Sequence, residues 1–252
     1  MPEVFGAQQS DAWLRARCGR IGGSGLANVC AYLTRKSGDK KKGDSKAERD
    51  NYKLEIIGER LSGRLANHFE TQAMRDGNEF EEEARLYYEA VTNTITTPVG
   101  FYVHDKYDFT GASCDFLIDD DGVGETKCPT IPVHLRYIMA GCIPKDYIPQ
   151  VAWELACTGR SYADFVSYGA GVVDDDLRFF YRRTGRDELE YSYTDYSGEK
   201  DREVDLTGEA VIDYFTDQVL RFEADIQEFL KGRKTIAPFP LELKVGIGGI
   251  AS

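Results

Sequence analysis

The stretch ASCDFLIDDDGVGETKCP, Ala112–Pro129, constrains the chain more than any other. Phe116, Leu117 and Ile118 form a short apolar run. Asp119-Asp120-Asp121-Gly122 is a strong turn signal, and a second extended segment starts at Val123. The pattern predicts a β-hairpin. Asp115 stands on its first arm, Glu125 and Lys127 on its second. Residues two apart in a strand point to one face, so Glu125 and Lys127 emerge side by side and Asp115 can approach them across the hairpin.

Two carboxylates and an ammonium at one end of a small sheet have a chemical use. Hard carboxylate oxygens suit Mg²⁺, which keeps several of its waters. Such an ion polarises a phosphodiester and lowers the pKa of a bound water. A neighbouring lysine can hold the attacking water or steady charge developing on phosphate. The same spacing also occurs in ordinary surface turns that carry a Glu/Lys pair, so the rest of the chain must decide.

The net charge of −12 argues superficially against nucleic acid, but it is unevenly spread. Residues 1–53 carry +5, and the remaining residues carry −17. A nucleic-acid binder needs positive potential along its contact path, not a basic total. Seven of the basic residues fall in RKSGDKKKGDSKAER, Arg35–Arg49, which includes Lys40, Lys41 and Lys42. Two readings fit this segment: a solvated loop, or a basic arm over a phosphate backbone.

Upstream, Ser10 and Asp11 can cap a first helix with Trp13 and Leu14 packing inward. The run Arg17 to Ser24, RCGRIGGS, places a Gly-Gly-Ser turn at a helix start. Free N–H groups, the Ser24 hydroxyl and the Arg17 fork could hold phosphate there. An ordinary glycine turn with Ser24 as N-cap fits equally. A helix is expected over 51–61, with Leu54, Ile57 and Leu61 as its buried stripe. In the next, 77–93, Phe80, Ala84, Tyr87, Tyr88 and Val91 fall within one arc of about 100°. Glu81 lies at the edge of that arc and can reach into the site the helix packs against. Glu79, Glu82 and Glu83 read as solvated surface.

After the hairpin, Tyr147 and Gln150 open an amphipathic helix and share a face. Strands are expected over 163–168, 176–182 and 189–193. A long helix over 209–230 carries Val211, Phe215, Val219, Phe222, Ile226 and Phe229/Leu230 as its stripe. The tail 236–252 is glycine-rich and expected to be mobile or a docking tail. No apolar run approaches the roughly 20 residues of a membrane span. The N-terminus lacks a signal-peptide pattern. Six scattered cysteines without a Cys-x-x-Cys pair suggest reduced thiols in a cytoplasmic protein, with no zinc or iron–sulfur site.

Asp-x9-Glu-x-Lys resembles the signature of the PD-(D/E)XK nucleases. Five motifs in one order sharpen the resemblance: R-x6-S at Arg17 and Ser24, G-x-x-[FY]-E at Gly77–Glu81, and S-x-D at Ser113 and Asp115. E-x-K-C-P at Glu125–Pro129 comes next, then Tyr-x-x-Gln at Tyr147 and Gln150, followed by a strand ending in DFVSY. From Trp13 to Leu230 the chain resembles the lambda-type phage exonucleases, the YqaJ-like viral recombinase family. That resemblance implies an α/β, restriction-endonuclease-like fold with a central mixed β-sheet flanked by helices. It implies a single nuclease domain over 1–235, with the basic loop 35–49 as an insertion. Asp115 and Glu125 would ligate Mg²⁺ (or Mn²⁺) with the backbone carbonyl of Thr126, and Glu81 would reach the metal shell. Lys127 and Gln150 would orient the attacking water. Arg17, Ser24 and Ser113 would hold a terminal 5′-phosphate, and Lys40, Lys41 and Lys42 the DNA backbone. Ala152 departs from the family, which often has a second glutamine there.

The implied activity is 5′-to-3′ digestion of linear double-stranded DNA, leaving 3′ single strands for recombination. The implied partners are double-stranded DNA ends, a single-strand annealing protein and further copies of the chain in a ring, commonly a trimer. The location would be the cytoplasm, of the host if the chain is phage-encoded. A RecB-like or Cas4-like nuclease is the nearest alternative, although a missing cysteine quartet weighs against iron–sulfur versions. A non-catalytic DNA-end-binding module is a different class, disfavoured by the intact Asp115, Glu125 and Lys127.

Overall fold

The computed structural model describes residues 3–66, 72–196 and 200–234, with 72–79 as helical backbone. The tail 236–252 and the side chain of Glu79 lie outside the described residues. In chain order, β1 (Glu3–Phe5) and α1 (Asp11–Arg17) precede β2 (Ile21–Gly22), a 3₁₀ turn (Gly23–Gly25) and the short α2 (Leu26–Val29). Then come α3 (Ala47–Ser62), α4 (Gln72–Thr92), β3 (Thr96–Pro98), β4 (Phe101–Val103), β5 (Thr110–Ala112), β6 (Phe116–Ile118) and β7 (Gly122–Lys127). The second half runs α5 (Ile131–Ala140), α6 (Ile148–Thr158), β8 (Tyr162–Tyr168), α7 (Asp175–Arg178), β9 (Phe179–Gly185), β10 (Glu190–Asp195), β11 (Arg202–Thr207) and α8 (Glu209–Leu230).

The expected hairpin is β6–β7, antiparallel, with Phe116 opposite Gly124. It sits inside a mixed five-stranded sheet ordered β3-β6-β7-β8-β9, where β7 and β8 are parallel. The tight turn puts Asp119 at φ 43. Nη1 of Arg160 donates to the carbonyls of Ile118, Asp119 and Gly122 at 3.3, 3.0 and 2.9 Å, which satisfies backbone acceptors the turn leaves unpaired. A second mixed sheet, β1-β4-β5-β2, carries the N-terminal elements, and β10–β11 form a separate antiparallel pair. At Gly100, just before β4, a Cβ would meet the Gly6 carbonyl oxygen at 1.6 Å, so only glycine lets the two segments approach.

Helix α6 is buried on nearly every side, from Val151 to Leu155 and again at Cys157. A helix that is covered all round belongs in a core rather than on a surface. It packs between α8 and the two mixed sheets, and Trp153 Nε1 donates to Thr110 Oγ1 on β5 at 3.1 Å. Helix α8 buries the expected stripe from Val211 to Leu230, with Leu230 inward and Phe229 outward. Ser10 caps α1 as expected, accepting from Trp13 N–H at 3.2 Å. The fold class is the expected α/β arrangement of mixed sheets flanked by helices.

Several finer expectations differ. Trp13 is buried, but Leu14 faces solvent. Leu54, Leu61 and Val91 are exposed. Ile57 is buried as expected, and the inner face of α3 presents it with Ile56, Arg49, Glu59 and Arg60. Apolar spacing missed this face because its charged members are paired rather than solvated. Residues 175–178 form α7, so the strand expected from 176 begins at Phe179; Asp174 caps that turn by accepting from Asp176 N–H at 3.0 Å. Strands β5 and β11 had no counterpart among the expectations. The segment 35–49 is only partly a loop, because α3 starts at Ala47, and Tyr32↔Ser45 and Ser37↔Lys40 form isolated bridges.

Arg60 forms a forked pair with Glu223 of α8 at 2.7 and 2.8 Å and donates to Gly19 O at 2.8 Å. Both charged side chains are almost fully enclosed. Removing one partner leaves the other charge buried and unmet. Glu223→Ala is therefore expected to cost about 3–5 kcal/mol of stability. Urea denaturation measures this, and a loss below about 1 kcal/mol would place the pair with surface ion pairs.

Candidate active site

Strand β7 delivers the acidic centre because its alternation is set by two neighbours at once, β6 and β8. Glu125 is 2 % exposed, and its Oε1 forms an ion pair with the Lys127 ammonium. Asp115 precedes β6, and its N–H extends the ladder to Gly124 O at 3.0 Å. Its Oδ2 accepts the Thr126 backbone N–H at 2.6 Å, and its Oδ1 faces Gln8 Nε2 at 3.4 Å. Gln8 also donates to Cys114 O at 3.1 Å. The three hairpin residues thus converge as the alternation requires.

Glu81 arrives from α4. Tyr88, seven residues later on the same face, donates its hydroxyl to the buried Asp164 of β8 at 2.5 Å. Asp164 also takes both arms of Arg183 at 2.8 Å. This anchor holds α4 on the sheet and sets Glu81 into the same cleft as Asp115, Glu125, Lys127 and Gln150. Glu82 is exposed and pairs with Arg85; Glu83 is exposed but accepts the Tyr168 hydroxyl at 2.7 Å.

The cleft has a volume of about 680 Å³. Trp13, Arg17, Ser24 and Ser113 line the same cleft. Arg17 Nη2 lies 3.5 Å from Ser24 Oγ, and the Arg17 guanidinium sits 5.1 Å over the Trp13 ring. Trp13 Nε1 in turn donates to Ser113 Oγ at 2.9 Å. The three residues expected to hold phosphate therefore share one wall, joined through an indole read from sequence only as core. Gly25 lets Tyr52 pack beneath the turn, since a Cβ there would meet the ring at 2.2 Å. The Tyr52 hydroxyl then accepts the Gly22 N–H at 3.0 Å. The helix after Ser24 is only four residues long, so Arg17 and not a helix dipole supplies most of the positive charge here.

Electrostatics mark the acidic end. Burial, followed by the Glu125 charge, pushes Asp115 well above its usual carboxylate range, with Lys127 acting the other way. Glu81 is raised by burial and by Glu125, again against Lys127. Burial works against the Lys127 ammonium, but Glu125 and Asp115 outweigh it and hold its pKa above the ordinary value. Burial pushes the Cys128 thiol up to about 12, which makes it a neutral neighbour and no nucleophile.

Sequence reasoning missed Glu154. It is fully buried on α6, one turn beyond Gln150, whose Nε2 donates to Glu154 Oε1 at 3.0 Å. Its Oε2 is buried without a hydrogen-bond partner, and burial, followed by the Glu125 charge, holds its pKa well above the usual range. A lone glutamate inside the apolar run VAWELA was the available signal, because glutamate is almost never fully buried without a partner.

The donors fit a hard divalent cation. Glu125 Oε2 is buried without a hydrogen-bond donor, and Asp115, Glu125 and Glu81 crowd negative charge around one ammonium. A cation there relieves the repulsion that raises their pKa values. Among the described residues no group of three His, Cys, Asp or Glu side chains already stands in metal-holding geometry. Lys127 occupies Glu125 Oε1, and the Thr126 N–H occupies Asp115 Oδ2.

The basic segment is less free than its composition suggests. Lys40 pairs with Asp50, Lys42 with Asp201, and Arg49 is buried against Asp225 and Val29 O. Of the three lysines expected on DNA, only Lys41 has no carboxylate partner among the described residues. Among those residues, no helix is long and apolar enough to cross a membrane.

Residues 12–161 match the family model described as the YqaJ-like viral recombinase domain. No curated protein matches the chain. Among solved structures it is similar to an alkaline exonuclease, LHK-Exo, from Laribacter hongkongensis. That likeness has 31% identity and a TM-score of 0.69, and it covers 88% of this chain and 96% of that one. The same enzyme in complex with dAMP gives 30% identity and a TM-score of 0.70, covering 88% and 95%. A phage related exonuclease from Haemophilus somnus 129PT, at 16% identity and TM-score 0.51 over 84% and 95%, shares the fold. On these matches, the chain belongs to the YqaJ-like viral recombinase domain family.

Proposed function

We propose that this protein is a metal-dependent exonuclease that digests linear double-stranded DNA from the 5′ end and leaves a 3′ single strand. One observation carries the reading: a single cleft is lined both by the carboxylates Asp115, Glu125 and Glu81 and by Arg17, Ser24 and Ser113. The relatives named as exonucleases, one with dAMP bound, support the same chemistry. In this reading, Asp115, Glu125 and the Thr126 carbonyl hold Mg²⁺ or Mn²⁺, with Glu81 in its outer or inner shell. A divalent ion bound there polarises the scissile phosphodiester and acidifies a water.

The chain's own residues supply the rest. Lys127 keeps its proton, so it acts by donating hydrogen bonds to the attacking water and the phosphate oxygens, not as a base. Gln150 gives its amide N–H to Glu154, which leaves its Oε1 to accept a proton of the attacking water. Arg17, Ser24 and Ser113 grip the terminal phosphate and so fix the distance to the scissile bond. Lys41 contacts the duplex backbone, with Lys40 and Lys42 available after exchanging their carboxylate partners. The family resemblance implies a homo-oligomeric ring, a trimer, and the uneven charge, +5 over residues 1–53 and −17 beyond, would suit a ring with a basic lining. A single-strand annealing protein is the partner that would take the 3′ strand.

The direct test compares linear and circular duplex with and without Mg²⁺. Digestion of linear DNA alone, abolished by EDTA, is expected; cleavage of closed circles, or full activity in EDTA, would reject the reading. Glu125→Gln is expected to remove turnover while DNA binding remains. Lys127→Ala is expected to lose about 10²–10³ in rate, as for one positioned electrostatic contact.

The pocket generates a second expectation. A duplex with a 5′-phosphate should be digested faster than one with a 5′-hydroxyl, and Arg17→Ala should erase that preference by slowing only the phosphorylated substrate. Equal wild-type rates on the two ends would leave the Arg17–Ser24 wall as a capped turn. The arm gives a third. Lys41→Ala should flatten the salt dependence of duplex binding by about 0.9 in the log–log slope, the value for one phosphate contact. Lys40→Ala should change it less, because Asp50 already meets that charge.

A further inference from the structure

Tyr147 stands three residues before Gln150, at the end of the 3₁₀ turn Lys145–Tyr147, and takes no part in the chemistry assigned to the cleft. Its N–H donates to Pro144 O at 2.9 Å, and Pro149 follows in the first turn of α6, so the main chain here has little freedom. The ring packs 5.1 Å from that of Phe165, centroid to centroid, and edge-on to Tyr137 at 6.3 Å. Phe165 is fully buried on β8, in register with Glu125 of β7. Two residues along β7, on the same face, the Lys127 ammonium lies 5.2 Å over the Tyr147 ring. Two groups therefore hold Lys127, and they are not alike. Glu125 takes it by charge through Oε1, but a divalent ion bound by that carboxylate would compete for the same oxygens. An aromatic face attracts an ammonium through its quadrupole. It offers no carboxylate to a metal ion, so its hold does not depend on what occupies Glu125.

We infer that Tyr147 is a positioning residue whose ring face holds the Lys127 ammonium beside the carboxylates, independently of Glu125. This rests on the proposed nuclease reading for what Lys127 does there, but not for the contact itself. The role belongs to the face of the ring and not to its hydroxyl, so phenylalanine can take it over and an aliphatic side chain cannot. A ring that only filled space beside Phe165 would be replaceable by any apolar group of its shape, whatever the charge of its face.

Three replacements separate these roles. Tyr147→Phe keeps the ring face, Tyr147→Leu removes it, and pentafluorophenylalanine at the same position keeps the shape while reversing the charge of the face. The readouts are the Lys127 Hε resonance without DNA or metal, assigned by its loss in Lys127→Ala, and kcat and KM on linear 5′-phosphorylated duplex. In wild type the ring is expected to shift that resonance upfield. Tyr147→Phe should keep the shift and turn over within a few-fold of wild type, and Tyr147→Leu should lose the shift. Tyr147→Leu and the fluorinated ring are expected to lower kcat about 10-fold with KM unchanged, inside the roughly 2- to 30-fold that a cation–π contact is worth. In a Lys127→Ala background neither should cost anything further, because a group that acts through Lys127 then has nothing to act on. Three results would overturn the inference. A wild-type resonance without the shift, or a shift that survives Tyr147→Leu, shows that the ring does not face the ammonium. A fluorinated ring as active as Tyr147→Phe shows that Tyr147 only fills space, and this comparison decides the matter if Tyr147→Leu fails to fold. A loss that persists in full in the Lys127→Ala background shows that Tyr147 acts by another route. If wild type digests no DNA, the nuclease reading fails, and the resonance still decides whether the contact exists.

Discussion

A carboxylate held away from water must be met by something, and here that demand falls on Glu125. It sits on β7, flanked by β6 and β8, under α6, where water cannot solvate it. The strand alternation that buries Glu125 also brings up Lys127, and Asp115 comes across the hairpin to the same end. The carboxylates make one another harder to ionise, while Lys127 acts the other way. The cluster is thus poised for a cation, and the surrounding elements act as its supports. Tyr88 and Asp164 hold α4 so that Glu81 arrives from above. The Arg160 guanidinium closes the hairpin turn below.

The division of labour between the two mixed sheets follows from this. The five-stranded sheet builds the acidic end and has the long strands that a precise site requires. The four-stranded sheet has short strands and carries the glycine turn and α1, which together present Arg17 and Ser24. Helix α6 packs against both and is almost wholly buried. Charge that would be mobile on a surface is in this way given fixed positions.

Much of this was legible in the chain. The turn DDDG between apolar and extended runs gave the hairpin, and period-two alternation gave its converging side chains. Glu81 was placed by its angle on α4, and α8 by a stripe that repeats over 22 residues. The failures have physical causes. The inner face of α3 is bound by Arg49, Glu59 and Arg60, whose partners lie on other elements, so apolar spacing pointed to Leu54 and Leu61 instead. Strand β11 reads REVDLT, a polar run that is strand only because β10 pairs with it. Glu154 was passed over although its place inside VAWELA marked it, because the Gln150 amide that meets it comes alongside only once the run is wound into a helix. Lys40 and Lys42 looked like a free arm because Asp50 and Asp201 are not visible as partners in the linear text.

The contacts of Gln8 and Trp13 carry a consequence for how the molecule is assembled. Gln8 reaches Asp115 across 107 residues, and Trp13 reaches Ser113 across 100. Every element of the hairpin can form from residues close in sequence, and closing a loop of about 100 residues adds an entropic cost that local pairing does not carry. Contacts of such separation slow the search for the native state. On this ground the return of the amino-terminal segment to β4 is expected to come late in folding. Until that return the acidic residues are gathered but the wall opposite them is missing. Such an order of assembly would leave the cleft unfinished while the rest of the chain is still being organised.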